Sequence, residues 1–407
     1  MPTFDAAAAA QRLPEAIIAK NLSPNRKPRL VATGYTQRLE AAFSGSSYHL
    51  AKAGMDGGQL DGCFTLQTPI RPDLRLNVAG AWWKLVQSLS GRKTGGFKFT
   101  PVFLDHVWER YLPLLSGTSI LSNFQVLGSP FWQRAEHLDI DASFYIDGTL
   151  HEYFTTYANY DVVAIIDNAT QAAAIENERL GYQRARSIVT MSKRSADDLK
   201  SFYGVPAEKI AIVSPGANLP DEAVAGFQSS SSSRRDDFIL GFVGLYPLRK
   251  GLDRLAAALS IMRSRRLPVR LRVIGECPED IRNQDGVDYL GIIKKSTHMP
   301  EFLSAIADID LGCQLSRAEL VGVAMLEFLR FGIPILATDV GGIPEVMQGG
   351  GGIMVPPDVD AEQLAETIST LVNDRAAHAR LKAEADGRRD WASWSRTARE
   401  IDIALSR

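Results

Sequence analysis

The sequence predicts an α/β protein of two doubly wound, Rossmann-like domains, and three observations predict it. The chain has 407 residues, more than one ordinary core accommodates and a common length for two. Its C-terminal half alternates short apolar runs with segments of helical periodicity, which implies βαβ units and a parallel sheet covered on both faces. Between the halves lies FQSSSSSRRDD (227–237), too polar to bury, which reads as a linker or exposed loop.

The C-terminal elements follow in order. FILGFVG (238–244) is a continuous apolar run, as expected of a strand buried on both faces. GLDRLAAALSIMRSR (251–265) has apolar residues at helical spacing, VRLRVIGEC (269–277) reads as strand and VDYLGII (287–293) as a shorter one. MPEFLSAIADID (299–310) is a helix, LGCQLS (311–316) a strand, and a helix, the strand PILATD (334–339), GGIMVPP and the helix DAEQLAETISTLVND follow. In the N-terminal half PRLVATGY, GCFTLQ, TSILSNFQVLG, ASFYIDG, RSIVTMS and KIAIVSPGA are strand candidates. SSYHLAKAG, DDLKSFYG and most of 76–115 read as helical. The expected organisation is a first domain at 1–225, a linker at 226–237 and a second domain at 238–390, with a terminal helix at 391–407 docking onto a domain, the first being the candidate. Open parallel sheets bind ligands at the carboxyl ends of their strands, so the site is expected in the cleft where two such domains face one another.

Composition excludes several classes. Hydrophobic residues make up 45% and charged residues 23% of the chain, with a net charge of −2, so nothing in the global charge calls for nucleic acid. No apolar run is long enough to cross a bilayer. The first twenty residues read as a short amphipathic helix, not a signal peptide. Three cysteines, Cys63, Cys277 and Cys313, are far apart and form no C-x-x-C pair, which points to a reducing compartment and a cytoplasmic setting. No histidine spacing suits a metal, so none is expected. G-x-G-x-x-G, G-x-x-x-x-G-K-[ST] and G-x-S-x-G are all missing, which argues against dinucleotide oxidoreductases, P-loop NTPases and α/β-hydrolases.

Two stretches carry the candidate chemistry. In SRAELVGVAMLEFLRFGIPILATDVGGIPE (316–345), Glu319 follows a strand and Glu327 falls on the second turn of a helix starting near Gly322. A helix N-terminus offers free N–H groups and positive dipole character to a phosphate. Leu320, Val321 and Gly322 would supply those amides, and the carboxylates can hydrogen-bond sugar hydroxyls. Alternatively, Glu327 is only an exposed helix residue. In GFVGLYPLRKGLDRL, Arg249 and Lys250 open a helix, where cations are unfavourable to the dipole unless an anion such as a diphosphate sits there. The alternative is that both are simply solvated. Ser44-Gly45-Ser46-Ser47 is a further candidate phosphate-facing loop. AWWKLVQSLSGRK (81–93) places Trp82, Trp83 and basic residues on a helix that either docks on lipid or is buried or acceptor-facing.

GFVGLYPLRKGLDRL, LRVIGE, AIADIDLGCQLSRAELVGVAMLEFLRFGIPILATDVGGIPEVM and GGIMVPPDVDAEQLAETISTLVND together resemble family 4 of the retaining glycosyltransferases, in order and spacing over about 130 residues. SKRSADDLKSFYGVPAEKIAIVSPGAN (192–218) resembles the end of that family's first domain. The resemblance implies the GT-B fold, with an acceptor-binding first domain and a nucleotide-sugar-binding second domain. It implies sugar transfer with retention, from a UDP- or GDP-linked donor to a carbohydrate or lipid-linked acceptor, in polysaccharide or glycolipid synthesis, without a metal or other cofactor. It implies that Glu319 contacts the donor sugar, Glu327 the ribose and Lys250 the diphosphate, that Gly45 lies in a glycine-rich loop, and that Gly341 and Gly342 keep a strand end open to ligand. The family arginine usually follows the glycine that is Gly244 here; this chain has Leu245, and Arg249 is the candidate replacement. Asp147 occupies the strand end where many members carry a histidine near the donor sugar, with His151 as the alternative. A non-catalytic nucleotide-sugar-binding subunit and an epimerase of the same fold are the rival expectations, and peripheral membrane contact is a candidate property.

Overall fold

The computed structural model describes residues 4–13, 15–23, 25–34, 38–40, 45–66, 74–123, 129–227 and 237–407. They divide into two units, one of Met1–Ser214 with Thr397–Arg407 and one of Pro215–Arg396. The division falls before the stretch expected as a linker, most of which, 228–236, lies outside the described residues. The last eleven residues group with the first unit, where Asp402 pairs with Arg29 at 2.6 Å.

In the first unit seven strands form one sheet: β1 (Ile17–Ile18), β2 (Arg29–Thr33), β3 (Gly62–Thr65), β4 (Ser119–Ser122), β5 (Asp141–Ile146), β6 (Ile188–Thr190) and β7 (Ile210–Ile212). Their spatial order is β1-β3-β2-β4-β5-β6-β7. All pairings are parallel except that of β1, a two-residue antiparallel edge on β3. β2 and β3 are buried along their whole length, as the inner strands of a sheet covered on both faces must be.

The second unit has six parallel strands: β8 (Phe238–Gly244), β9 (Val269–Gly275), β10 (Val287–Gly291), β11 (Leu311–Gln314), β12 (Ile335–Thr338) and β13 (Gly352–Val355). They lie in the order β10-β9-β8-β11-β12-β13. Renumbered within the unit this is 3-2-1-4-5-6, the Rossmann order, whose switch point lies between its first and fourth strands. Those strands are β8 and β11, and their carboxyl ends lead into the Arg249–Lys250 loop and the Glu319 segment. Helix Leu252–Ser264 buries Leu252, Leu255, Ala256, Ala258, Leu259 and Met262, a stripe at i, i+3, i+4 and i+7 spacing that covers one face of the sheet.

Candidate functional site

At the switch point the chain turns on glycines. Gly251 caps helix Leu252–Ser264 with φ +78°, and a Cβ there would lie 2.1 Å from the carbonyl oxygen of Leu315. The loop after β8 is therefore drawn onto the end of β11, and only glycine fits. Gly322 caps helix Val323–Arg330 with φ +86°, so Glu327 does lie on that helix's second turn. Of the first-turn amides, that of Met325 donates to the Gly322 carbonyl at 3.1 Å, and those of Val323 and Ala324 precede any carbonyl the helix could offer them.

Charged groups gather on this framework. Arg249 donates from Nη1 to the Ala318 carbonyl at 2.7 Å and to Glu319 Oε2 at 3.3 Å. Gln314 Nε2 reaches the same Glu319 oxygen at 3.1 Å. Glu319, 9% exposed, is thus held from two sides. Lys250 lies over Gly244, where a Cβ would meet its Cδ at 2.6 Å. Burial holds the Lys250 ammonium below its usual range; the Glu319 carboxylate opposes that shift and the Arg249 guanidinium adds to it. Glu327 is 2% exposed and pairs with the ammonium of Lys295, which also lies 4.8 Å from the Phe302 ring centroid. A buried carboxylate needs such a partner.

The structure therefore brings Arg249, Lys250, Glu319 and Glu327 to one end of one sheet, Glu327 as a buried partner of Lys295 and not as an exposed helix residue. Leu320 and Val321 are buried, and the Leu320 carbonyl accepts from the Gly342 amide at 2.8 Å. Gly341 has a packing reason to be glycine: with φ +59°, its Cβ would stand 1.7 Å from the Glu319 carbonyl oxygen. Two participants escaped sequence reasoning. Lys295 sits in a loop 32 positions from its carboxylate, and Gln314 ends an apolar strand. Neither has a local signal, because both act across elements.

The first-unit candidates are placed differently. Gly45 caps helix Ser46–Asp56 with φ +96°, but the neighbouring serine faces inward. Ser47 Oγ lies 2.8 Å from Thr33 Oγ1 and also donates to Asn123 Oδ1, while Asn123 Nδ2 donates to the Tyr145 carbonyl. Ser47 thus stitches β2, β4 and β5 together and is not directed at a phosphate; Ser44 lies outside the described residues. Asp147 follows β5, partly buried, and its carbonyl accepts from Ser195 Oγ at 3.4 Å. His151 has structural partners: Nδ1 lies 2.8 Å from Asp198 Oδ1, and its ring stacks on Phe202 at 3.8 Å. Among the described residues no group of three or more His, Cys, Asp or Glu could hold a metal ion.

The fold is that of known glycosyltransferases. The Anabaena protein Alr3699/HepE, solved in complex with UDP and glucose, superposes with a TM-score of 0.60 at 15% identity, over 94% of this chain and 100% of that one. Sucrose-phosphate synthase from Thermosynechococcus elongatus gives 0.61 at 16% identity, over 92% and 97%. At these identities the likeness defines the two-Rossmann GT-B fold. Residues 237–374, most of the second unit, match the family Glycosyl transferases group 1. The D-inositol 3-phosphate glycosyltransferase of Paenarthrobacter aurescens (strain TC1) is 29% identical over 243 residues, 55% of this chain and 58% of that protein. The chain spans a little over half the length of that relative.

Proposed function

We propose that this protein transfers a sugar from a UDP- or GDP-linked donor to a hydroxyl of a carbohydrate or lipid-linked acceptor, with retention at the anomeric carbon, in the synthesis of a polysaccharide or glycolipid. The observation that supports this most is the convergence of Arg249, Lys250 and Lys295 with Glu319 and Glu327 at the switch point of the second sheet. A departing diphosphate needs preorganised positive charge. Lys250, an ammonium that burial already holds below its usual range, gains most from one. Arg249 sits beside it, so a diphosphate could draw the guanidinium away from Glu319 and leave that carboxylate to accept sugar hydroxyls. Lys295 and Glu327 form a second such pair, Glu327 being the candidate for the ribose. Two cations beside the diphosphate make a metal unnecessary, and turnover is expected to survive chelation with EDTA. A cytoplasmic setting belongs to this proposal, supported by three buried cysteines that are all free thiols. Asp147 is the first-unit candidate for contact with the donor sugar.

The test is a thermal-shift screen with UDP, GDP, ADP and their common sugar conjugates, followed by product analysis with and without acceptor. A shift with one nucleotide and acceptor-dependent loss of its sugar conjugate is expected. No shift with any nucleotide refutes the proposal. A second reading, a nucleotide-sugar-binding subunit without turnover, is favoured by Leu245, half-exposed and uncharged where the family arginine is expected; donor binding without transfer would select it.

A further inference from the structure

Helix Leu74–Leu89 in the first unit is apolar on two opposite faces. Its inner face packs. Gly80 lies against Phe97, where a Cβ would stand 3.2 Å from the ring, Trp83 meets the Phe97 ring at 5.8 Å, and Gln87 is buried. Trp83, for which the sequence left lipid contact and burial both open, is spent on this packing. The other face holds Leu74, Val78, Trp82, Leu85, Val86 and Leu89. At 100° per residue these six fall within one third of the helix circumference. Leu74 is 76%, Trp82 66% and Leu89 79% exposed. Single exposed apolar residues need no explanation, whereas a continuous stripe over four turns does.

Charge indicates what covers it. Between Leu74 and Lys98 there is no Asp or Glu, while Arg75, Lys84, Arg92 and Lys93 are all exposed. An apolar stripe with a Trp at its centre, on a segment whose own charges are all cationic although Asp167 of a neighbouring helix start lies near Arg92, is matched by a surface that is apolar beneath and anionic above. We propose that the outward face of helix Leu74–Leu89 docks on a lipid bilayer bearing anionic headgroups, with Trp82 and Leu85 entering the acyl boundary and Arg75, Arg92 and Lys93 meeting the headgroups. No described helix is long and apolar enough to cross a membrane, so this contact is peripheral. It stands independently of the donor reading, since nucleotide binding is assayed without lipid.

The experiment is flotation of the full chain with vesicles of phosphatidylcholine alone or mixed with phosphatidylglycerol, at low and high salt. Binding is expected only to the mixed vesicles, weakening as salt screens the headgroups. Trp82→Ser with Leu85→Ser is expected to abolish flotation, and Arg92→Ser with Lys93→Ser to weaken it about fivefold per charge removed. The altered side chains are solvent-exposed, so thermal midpoints and nucleotide-induced shifts should stay at the wild-type values. Failure to float with anionic vesicles overturns the proposal. So does flotation unchanged by both double variants. So would a stable dimer in light scattering that Trp82→Ser/Leu85→Ser converts to monomer, because the stripe would then be covered by a second copy.

Discussion

At the carboxyl ends of β8 and β11, polar side chains are held in reserve: two carboxylates and three cations lie at the sheet edge, each carboxylate matched to a cation that an anionic ligand could draw away. At the carboxyl ends of β2, β4 and β5, polar side chains are spent on one another, Thr33, Ser47 and Asn123 bonding in a chain that ends on the Tyr145 carbonyl. Both sheets are doubly wound, and both turn from β-strand to helix through a left-handed glycine, Gly45 in one and Gly251 in the other. A fold of this kind supplies the place for a site twice. Which copy carries the chemistry is decided by whether its polar groups are already satisfied by the protein.

The largest contrast is expected between two glycines. Gly341 and Gly58 both have positive φ, but a Cβ at Gly341 would collide with the Glu319 carbonyl at 1.7 Å, and one at Gly58 would meet nothing within 4 Å. Gly58→Ala is expected to cost only the left-handed penalty, about 1–2 kcal/mol. Gly341→Ala must move backbone and is expected to cost about 4 kcal/mol or more, with loss of donor-induced stabilisation. Urea unfolding of both variants checks this; equal midpoints would mean that the Glu319 segment is not cinched as described.

Next comes a buried carboxyl of the first unit. Glu178 is fully buried and accepts from the Leu150 amide at 2.9 Å, from the Tyr182 hydroxyl at 2.7 Å and from the Tyr203 hydroxyl. Burial pushes its carboxyl from 4.5 up to about 8, the hydrogen bonds opposing the shift. The folded state therefore keeps a proton that the unfolded chain releases. That stabilisation is complete below 4.5 and is lost as pH rises to about 8, with a slope on the order of 1.4 kcal/mol per pH unit. Thermal midpoints of the wild type are expected to fall across this window, and those of Glu178→Gln to fall distinctly less. Parallel curves would show that Glu178 is ionised in the folded protein.

Glu178 also shows why the first unit was harder to read. Its helix, Asn168–Arg184, buries Ala174, Glu178, Gly181 and Tyr182. Small and polar residues form its inner face, so no apolar period announces it and the sequence reading passed over it. In the second unit FILGFVG spans the residues of β8 without error, because a strand covered on both faces must be apolar at every position. That a ligand should sit at the carboxyl ends of the strands, and that Arg249, Lys250, Glu319 and Glu327 lie there, was legible from loop position and the family resemblance. Lys295 and Gln314 were not, because the partners that give them meaning are brought near only by folding. The same holds for helix Leu74–Leu89: its tryptophans could be seen in the sequence, but which of the two faces outward could not.

The site itself is expected to respond on the scale of single charged hydrogen bonds, about 1.5–3 kcal/mol each, or tenfold or more in turnover. Glu319→Gln tests the carboxylate with less disturbance than Glu319→Ala, which would leave the Arg249 guanidinium buried without its acid. Lys250→Met should lose comparable turnover yet raise the thermal midpoint by a few degrees, since it removes a charge that burial disfavours. Because the Lys250 pKa is lowered by folding, the unfolded chain binds more protons between that lowered value and 10.5. Wild-type stability should therefore gain from Lys250 as pH rises through that interval, and Lys250→Met should lack the gain. Turnover near the wild-type rate in both variants would remove the second sheet's claim to the chemistry.

The smallest effect is expected at His151. Its imidazole lies between the Asp198 carboxylate and the Phe202 ring, and Asp198 also accepts from Thr149 Oγ1, the N-cap of helix Leu150–Thr156. These contacts hold the start of that helix against helix Lys193–Ser201, a structural use for a residue that the sequence offered as an alternative to Asp147. His151→Ala should cost about 1 kcal/mol through the lost stacking and the lost contact with Asp198, with turnover within about twofold. Asp147→Asn preserves size and should lower turnover if the first unit contributes a group to the reaction. Assayed together, the two variants separate a residue that supports the turn from one that uses it. A large loss of turnover in His151→Ala with none in Asp147→Asn would reverse their roles and put a reactive side chain among polar groups that here bind only one another.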